Sequence, residues 1–550
     1  MAAAQQPSGL LFSEVAGQSG IRFVHENGAA GNYWYPELFG GGVAVLDADG
    51  DRWADVLFVN GKEWPAAAAA PPDNLASRRH RLYRNNRDGT FADITAGSGL
   101  DAADVYGLGA TVVDYDNDGR DDVFMTTVDG GRLFHNQGEG RFRDVTAPSG
   151  IRNSDFAVSA AWLDYDRDGR ADLLIGNYVL WSPAHEVMCG DRGERGYCGP
   201  DAYRPRAPRL YRNLGSGRFE DVTARAGLDD PTDKAMGVAV LDYNGDLWPD
   251  LFIGSDRVPA KLYRNDGRGR FVDEGVRAGV ALSENGRARA NMGVDAADYD
   301  RSGRPDILVG NFTNEMLGLY RNEDGRSFVD VAPRSEVGRS SLLFVTWAVF
   351  FLDVDLDGWL DIFAANGGTD ESQGRDARAR LSQPPLVLRN RANGTFENAT
   401  PSLGAAINRP LMARGAAHAD FDGDGDSDIV LSTLGGPALL FRNDGGNRNN
   451  WLRVRAIGSA AGDGYRTPRS GLGAAVRVIS ASGSQAQTVR SGSSYASQSE
   501  LTLTFGLGQD QRISAVEVAW PSGATQSFKD VAPNQTIEIE EGRAAYRVVR

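Results

Sequence analysis

The sequence predicts an all-β protein: a seven-bladed β-propeller with calcium-binding loops over residues 10–447, then a small β-sandwich-like domain over 448–550. Three observations carry that prediction. Seven times an apolar run leads into a loop with oxygen-bearing side chains at positions 1, 3, 5 and 9, all four of them aspartates in five copies, and then into a second apolar run. Each loop is followed by a short element of the LYRN type. Beyond residue 449 the acidic repeat stops and strands of alternating polarity take over.

The loops begin at Asp47, Asp114, Asp164, Asp242, Asp298, Asp353 and Asp420. Their predicted ligands are Asp47, Asp49, Asp51 and Asp55 in the first; Asp114, Asp116, Asp118 and Asp122 in the second; and Asp164, Asp166, Asp168 and Asp172 in the third. Asp242, Asn244, Asp246 and Asp250 follow, then Asp298, Asp300, Ser302 and Asp306, then Asp353, Asp355, Asp357 and Asp361, and finally Asp420, Asp422, Asp424 and Asp428. Calcium takes six to eight hard oxygen ligands, and a tight loop can aim side chains 1, 3, 5 and 9 inward while position 7 offers its carbonyl. An EF-hand would continue to a bidentate Glu at position 12 between helices. Here position 12 is Phe58, Met125 or a similar apolar residue in a strand-like run, so these are strand-loop-strand sites. One such loop is equally well an Asp-rich turn. Seven copies mark an architecture, and about five to seven ions are expected. Loops four and five, with Asn244 and Ser302, are expected to bind more weakly, because carboxylate count tunes affinity.

The second signal divides each repeat into four short strands: one before the loop, one after it, one at the LYRN element and one at a segment such as Phe142 to Thr146. The elements start at 82, 133, 210, 262, 319, 387 and 440, and the second copy, LFHN, carries His135 in place of Arg. Four strands per unit and seven units describe propeller blades. The seventh unit lacks its last strand, because LFRNDGG runs directly into NNWLRV. Phe12 to Val15 matches the missing pattern, so the amino-terminal strand is expected to close the ring and remove its exposed edges. Beyond 449, runs such as Trp451-Leu-Arg-Val-Arg and Ala475-Val-Arg-Val-Ile alternate with period two.

Composition agrees. The net charge is -16, and the loops supply 26 of the 74 acidic residues, seven loops of four less Asn244 and Ser302. Much of the acidity is thus ligand inventory, and a chain this acidic is a poor partner for nucleic acid. No stretch approaches the 18 apolar residues of a membrane span. The start, MAAAQQPSGLLF, lacks a basic region and an apolar core. Residues 1–9 read as a disordered remnant left after cleavage, which together with the calcium loops predicts a secreted or periplasmic protein. The two cysteines, Cys189 and Cys198, lie in one insertion. A free pair and a metal pair are the alternatives, and in an exported chain a disulfide is expected.

The repeats over 10–447 resemble the FG-GAP or VCBS repeats of calcium-binding propellers. NNWLRVRAIG, RSGLGAAVRV, VRSGSSYASQSE, FGLG and VEVAWPSG resemble the ASPIC and UnbV domain. In this order, with FVHENG and YPELFGGGVAVLD near the start, the two parts resemble the cartilage acidic protein family and its bacterial relatives. The resemblance implies an exported binding or interaction module with structural calcium, expected as a monomer, whose partner is a protein, a glycan or a small molecule.

Two rivals accompany it. The first is an enzyme or carrier acting on a natural product or carbohydrate in the propeller channel, since the resemblance extends to a protein encoded beside enediyne polyketide machinery. Its candidate residues are His25, Glu37, Lys234 and Arg414, with Tyr106, Phe156, Asn291 and Trp347 expected on the same funnel. The bland alternative makes all of these packing and turn residues. The second rival is an integrin-like adhesion module with an apolar patch on one face. Ser493 and Ser494, in GSSY, read as turn residues because the segment is not a nucleophile elbow. Trp53, Trp248 and Trp359, at position 7 of their loops, read as packing between blades.

Overall fold

The computed structural model describes residues 9–64, 80–102, 104–190, 195–369, 381–460 and 466–550. The expected disorder of residues 1–9 therefore falls almost wholly outside the described chain. Among the described residues the strands form nine four-stranded sheets. Seven of them succeed one another from residue 12 to 443, and the first strand of each touches the first strand of the next until the strand at Ala413–Ala419 returns to the one at Val43–Leu46. The inner strands are buried at nearly every position, and at all of them in Gly107–Val113 and Thr346–Leu352, because blades pack on both of their faces. The outer strands, such as Arg141–Asp144 and Phe271–Asp273, bury the phenylalanine and expose their other residues.

The amino-terminal strand, Phe12–Glu14, completes the last sheet by pairing antiparallel to Leu439–Asn443, with Phe12 opposite Asn443. A second device ties the ring together. The asparagine of every LYRN-type element sends its side-chain amide to a backbone carbonyl of the preceding blade: Asn136 to Ala48, Asn213 to Tyr115, Asn265 to Tyr165, and onward around the ring until Asn85 of the first blade reaches Phe421 of the last. These bonds are 2.8–3.1 Å long and the asparagines are buried, so each satisfies a carbonyl that would otherwise be stranded between blades.

The remaining two sheets form the carboxy-terminal domain. In one, Asn450–Ile457 pairs antiparallel with Leu503–Gly508 and parallel with Gln535–Glu540; the other is built on Ala475–Ser480, Gly483–Thr488, Ile513–Ala519 and Thr525–Val531. Leu452, Val476, Phe505, Val516 and Trp520 fill its core. The domain sits on the end of the ring that carries the acidic loops: Arg453 pairs with Asp420, Arg490 with Asp295, and the Asn117 side chain accepts from the Arg469 amide. The other end is covered by residues 24–41 and by the insertion over 178–190 and 195–206. There Cys189 and Cys198 are disulfide-bonded, as expected for an exported chain.

Candidate metal centres

Each acidic loop is built by two of its own aspartates before any ion is considered. In the third, Asp164 Oδ1 accepts the Asp168 amide and Oδ2 the Gly169 amide, both at 2.9 Å, which folds positions 1 to 6 into a tight turn. Position 9 closes the loop: Asp172 Oδ1 accepts the amide of Asn213 at 2.7 Å and Oδ2 that of Tyr165 at 3.1 Å. The same two bonds recur in all seven copies, from Asp55 to Asp428. The position-9 aspartate therefore links loop, LYRN element and inner strand, and the neighbouring asparagine links that unit to the next blade.

Position 3 completes a cluster. In loops one, two, three and five, carboxylate oxygens at positions 1, 3 and 9 lie within 4.8 Å of one another. Buried oxygens of Asp166, Asp355 and Asp422, all at position 3, have no hydrogen-bond donor. Burial raises the carboxyls of Asp55, Asp164 and Asp306 to about 8 and that of Asp250 to about 9, with neighbouring aspartates adding to the shift at each. Three carboxylates gathered around a buried position 9, with lone pairs to spare, fit a hard divalent cation. Position 5 is not part of this cluster in two of the best-formed loops: Asp51 pairs with Arg87 at 2.7 Å, and Asp168 pairs with Arg170 and Arg212.

The candidate channel residues behave differently from expectation. All four are buried, and of the four only His25 and Arg414 interact with one another. Arg414 stacks on Trp347 and donates to the carbonyls of Leu38, Ala413 and Gly368; without a carboxylate beside it, burial pulls it down to about 9. His25 lies close enough for Arg414 to reinforce the burial that lowers it to about 3. Glu37 accepts from the Tyr197 hydroxyl at 2.7 Å and is raised to about 7 by burial, while Lys234 donates to the Pro200 carbonyl.

The expected open funnel is filled by the chain itself. Residues 491–498 of the carboxy-terminal domain enter the axis and bond to the inner strands: Gln498 to Val43 and Val45, Ser494 to Val294 and Ala416, and Ser491 to Thr111 and Trp162. The Tyr495 ring packs on Trp347 with centroids 4.9 Å apart. Gly42 and Gly109 make room, since a Cβ on either would lie within 2.1 to 2.4 Å of the Ala496 carbonyl oxygen. From the other end Phe39 packs against Phe156, Tyr178 and Trp347. A space of about 10 Å³ is left beside Ser493 and Ala496, barely room for one water. Ser493 and Ser494 are thus part of a plug rather than a simple turn, and no spacing rule in the sequence announces a plug. The position-7 tryptophans do pack as expected, Trp248 under Arg167 and Trp359 under Arg301 of the preceding blades, whereas Trp53 lies under Arg550 of the carboxy-terminal domain.

A ring of four-stranded repeats, each closed by an aspartate loop and an asparagine staple, defines a repeat propeller with acidic strand-loop-strand motifs. The FG-GAP-like repeat matches residues 47–125, 114–175, 197–253, 242–309, 298–364 and 353–431, and ASPIC and UnbV matches 464–545. The chain therefore belongs to the FG-GAP repeat family, with a carboxy-terminal ASPIC/UnbV domain. It is homologous to cartilage acidic protein 1. Identity to the human protein is 29% over 91% of this chain and 71% of that one; to the mouse protein it is 29% over 78% and 64%, so the match spans just under two thirds of the mouse protein. Among solved structures it is similar to a lectin from Agrocybe aegerita that recognises non-reducing terminal N-acetylglucosamine, at TM-score 0.41 and 16% identity over 72% of this chain and 87% of that one. It is also similar to a rhamnogalacturonan lyase from Bacillus licheniformis, at TM-score 0.36 and 13% identity over 73% and 71%. No helix among the described residues is long and apolar enough to cross a membrane.

Proposed function

We propose that the protein is an exported binding or interaction module whose ring is held by calcium in a structural role. The observation that carries this is the convergence of carboxylates at positions 1, 3 and 9, the last of them buried in every cluster, in loops that also anchor one blade to the next. When bound, calcium supplies the divalent charge that offsets their mutual repulsion. The aspartates at positions 1, 3 and 9, joined by position 5 where its arginine yields, would hold it, with Asn244 and Ser302 serving loops four and five. Export is supported by the Cys189–Cys198 disulfide and by sites suited to the calcium levels outside cells.

Because the axis is filled, the ligand, whether protein, glycan or small molecule, is expected on an outer surface. Native and denaturing mass spectra of the purified chain test the calcium content: about five to seven calcium ions lost on denaturation are expected. Fewer than about five would overturn the loop assignment, and an unfolding midpoint unchanged by complete chelation would overturn the structural role. The same spectra report whether the chain is a monomer, as expected.

A further inference from the structure

We propose that the loop of the second blade is a mixed nitrogen and oxygen site that takes a first-row divalent transition ion, manganese to zinc, in preference to calcium, with His135 as its nitrogen ligand. The inference deepens the reading of the loops as cation sites and rests on it.

The LYRN-type element places its third residue beside the loop of its own blade. In six copies that residue is arginine, and in the third and sixth blades it reaches the loop: Arg212 lies 2.7 Å from Asp166 and 3.1 Å from Asp168, and Arg389 lies 3.5 Å from Asp355. The second blade has His135. Its Nδ1 lies 3.4 Å from Asp116 Oδ2 and 3.3 Å from Asp122 Oδ1. The Nδ1 atom is shielded from solvent and makes no well-oriented hydrogen bond to either oxygen, while the imidazole as a whole stays 16% exposed.

Those spacings are what two ligands of one ion require. Ligand atoms at about 2.1 Å from a metal lie about 3.0 to 3.4 Å apart at octahedral to tetrahedral angles. Asp116, Asp118 and His135 bring ligand atoms within 4.8 Å of one another, and so do Asp114, Asp116 and Asp122. Asp116 belongs to both sets, so one shell can draw on the imidazole and on several carboxylates. Calcium gains little from a nitrogen ligand, because it favours shells made wholly of oxygen. Imidazole suits zinc and its first-row neighbours, and Nδ1 is free to ligate when the proton rests on Nε2. An arginine at the same place brings a fixed positive charge and no lone pair, so the other six loops lack this option.

The test uses the full chain and the His135→Arg variant, which restores the residue that the other copies carry and should fold. Both are stripped with chelator and reloaded with excess calcium and one equivalent of manganese. The expected result is one manganese retained per chain in native mass spectra, with a nitrogen coupling in pulsed EPR. In His135→Arg that ion and its coupling are lost, zinc affinity measured by calorimetry falls at least about tenfold, and the calcium count of the other loops is unchanged. Manganese bound without nitrogen coupling, or equal zinc affinity in the two proteins, would overturn the site and leave His135 as a charge partner of Asp122. A chain that takes up neither calcium nor manganese would instead remove the cation reading of every loop, an outcome separate from the behaviour of His135.

Discussion

The two ends of the ring are closed by opposite chemistry. At the loop end the carboxy-terminal domain is held largely by charge: a buried Arg453 bridges Asp420 and Glu500, Arg490 meets Asp295 at 2.7 Å, and Arg52 meets Glu538 at 3.0 Å. At the other end the cover is aromatic. Trp34, Trp64 and Trp181 pack together, and Tyr35 stacks on Tyr203 and shares a hydrogen bond with Tyr178, which donates to a buried Asp256. One end should therefore respond to cations, salt and protons, and the other to loss of packing.

Calcium removal should separate the ends most strongly. Three sites at a hundredfold excess over Kd contribute about 8 kcal/mol, so chelation should lower the unfolding midpoint by many degrees. Hydrogen exchange should then rise first in the loops and in 491–498, and uniform exchange at both ends would erase the contrast. Arg453→Ala should cost about 3–5 kcal/mol, because it leaves Asp420 and Glu500 buried without their cation; urea midpoints measure this. Asn213→Ala removes three bonds, those it donates to Tyr115 and Ala171 and the one it accepts from the Gly215 amide, and should cost about 3 kcal/mol while leaving calcium stoichiometry near normal.

The pH dependence should reverse with loading. Without metal, Asp55, Asp164 and Asp250 titrate at about 8, 8 and 9, above their ordinary 3.8, so the folded chain holds protons that the unfolded chain has released. Its stability is fully present below about pH 4 and falls as pH rises through 8 to 9, by up to about 1.4 kcal/mol per pH unit for each proton. With calcium the ligands must be deprotonated, and stability should rise with pH over the same window. Slopes of the same sign in calcium and in chelator would rule this out. The smallest effect is expected from reducing Cys189–Cys198: faster exchange over 178–206 and 34–41, with the loops unchanged.

The ring was legible in the sequence because every blade repeats it. Positions 1 and 9, the LYRN asparagine and the amino-terminal strand Phe12–Glu14 each have one physical task per blade, and the copies corroborate one another. The role of that asparagine as a staple to the neighbouring blade was not legible, although its presence in all seven copies was the signal. What occurs once was harder still. The plug at 491–498 looks like a serine-rich turn until Gly42 and Gly109 are seen making room for it, and His135 looks like a conservative replacement until its distances to Asp116 and Asp122 are known. Arg453 gave no sign of burial, since alternation along Trp451 to Arg455 fits an exposed face equally well.

The strand at Phe12–Glu14 also sets an order of events. Ser13 meets Asp444 across 431 positions of chain, and at about 5–20 residues per second that length takes roughly 20 to 90 s to synthesise. Throughout that time the Phe12–Glu14 segment has no strand to pair with, and the growing arc of blades has two open ends. The circle exists only after nearly everything else does, so this three-residue strand works as a clasp fastened late. An arc stopped short of residue 443 would lack the Asn443 staple but keep the earlier ones, and it would present a free strand edge that can pair with another copy of itself.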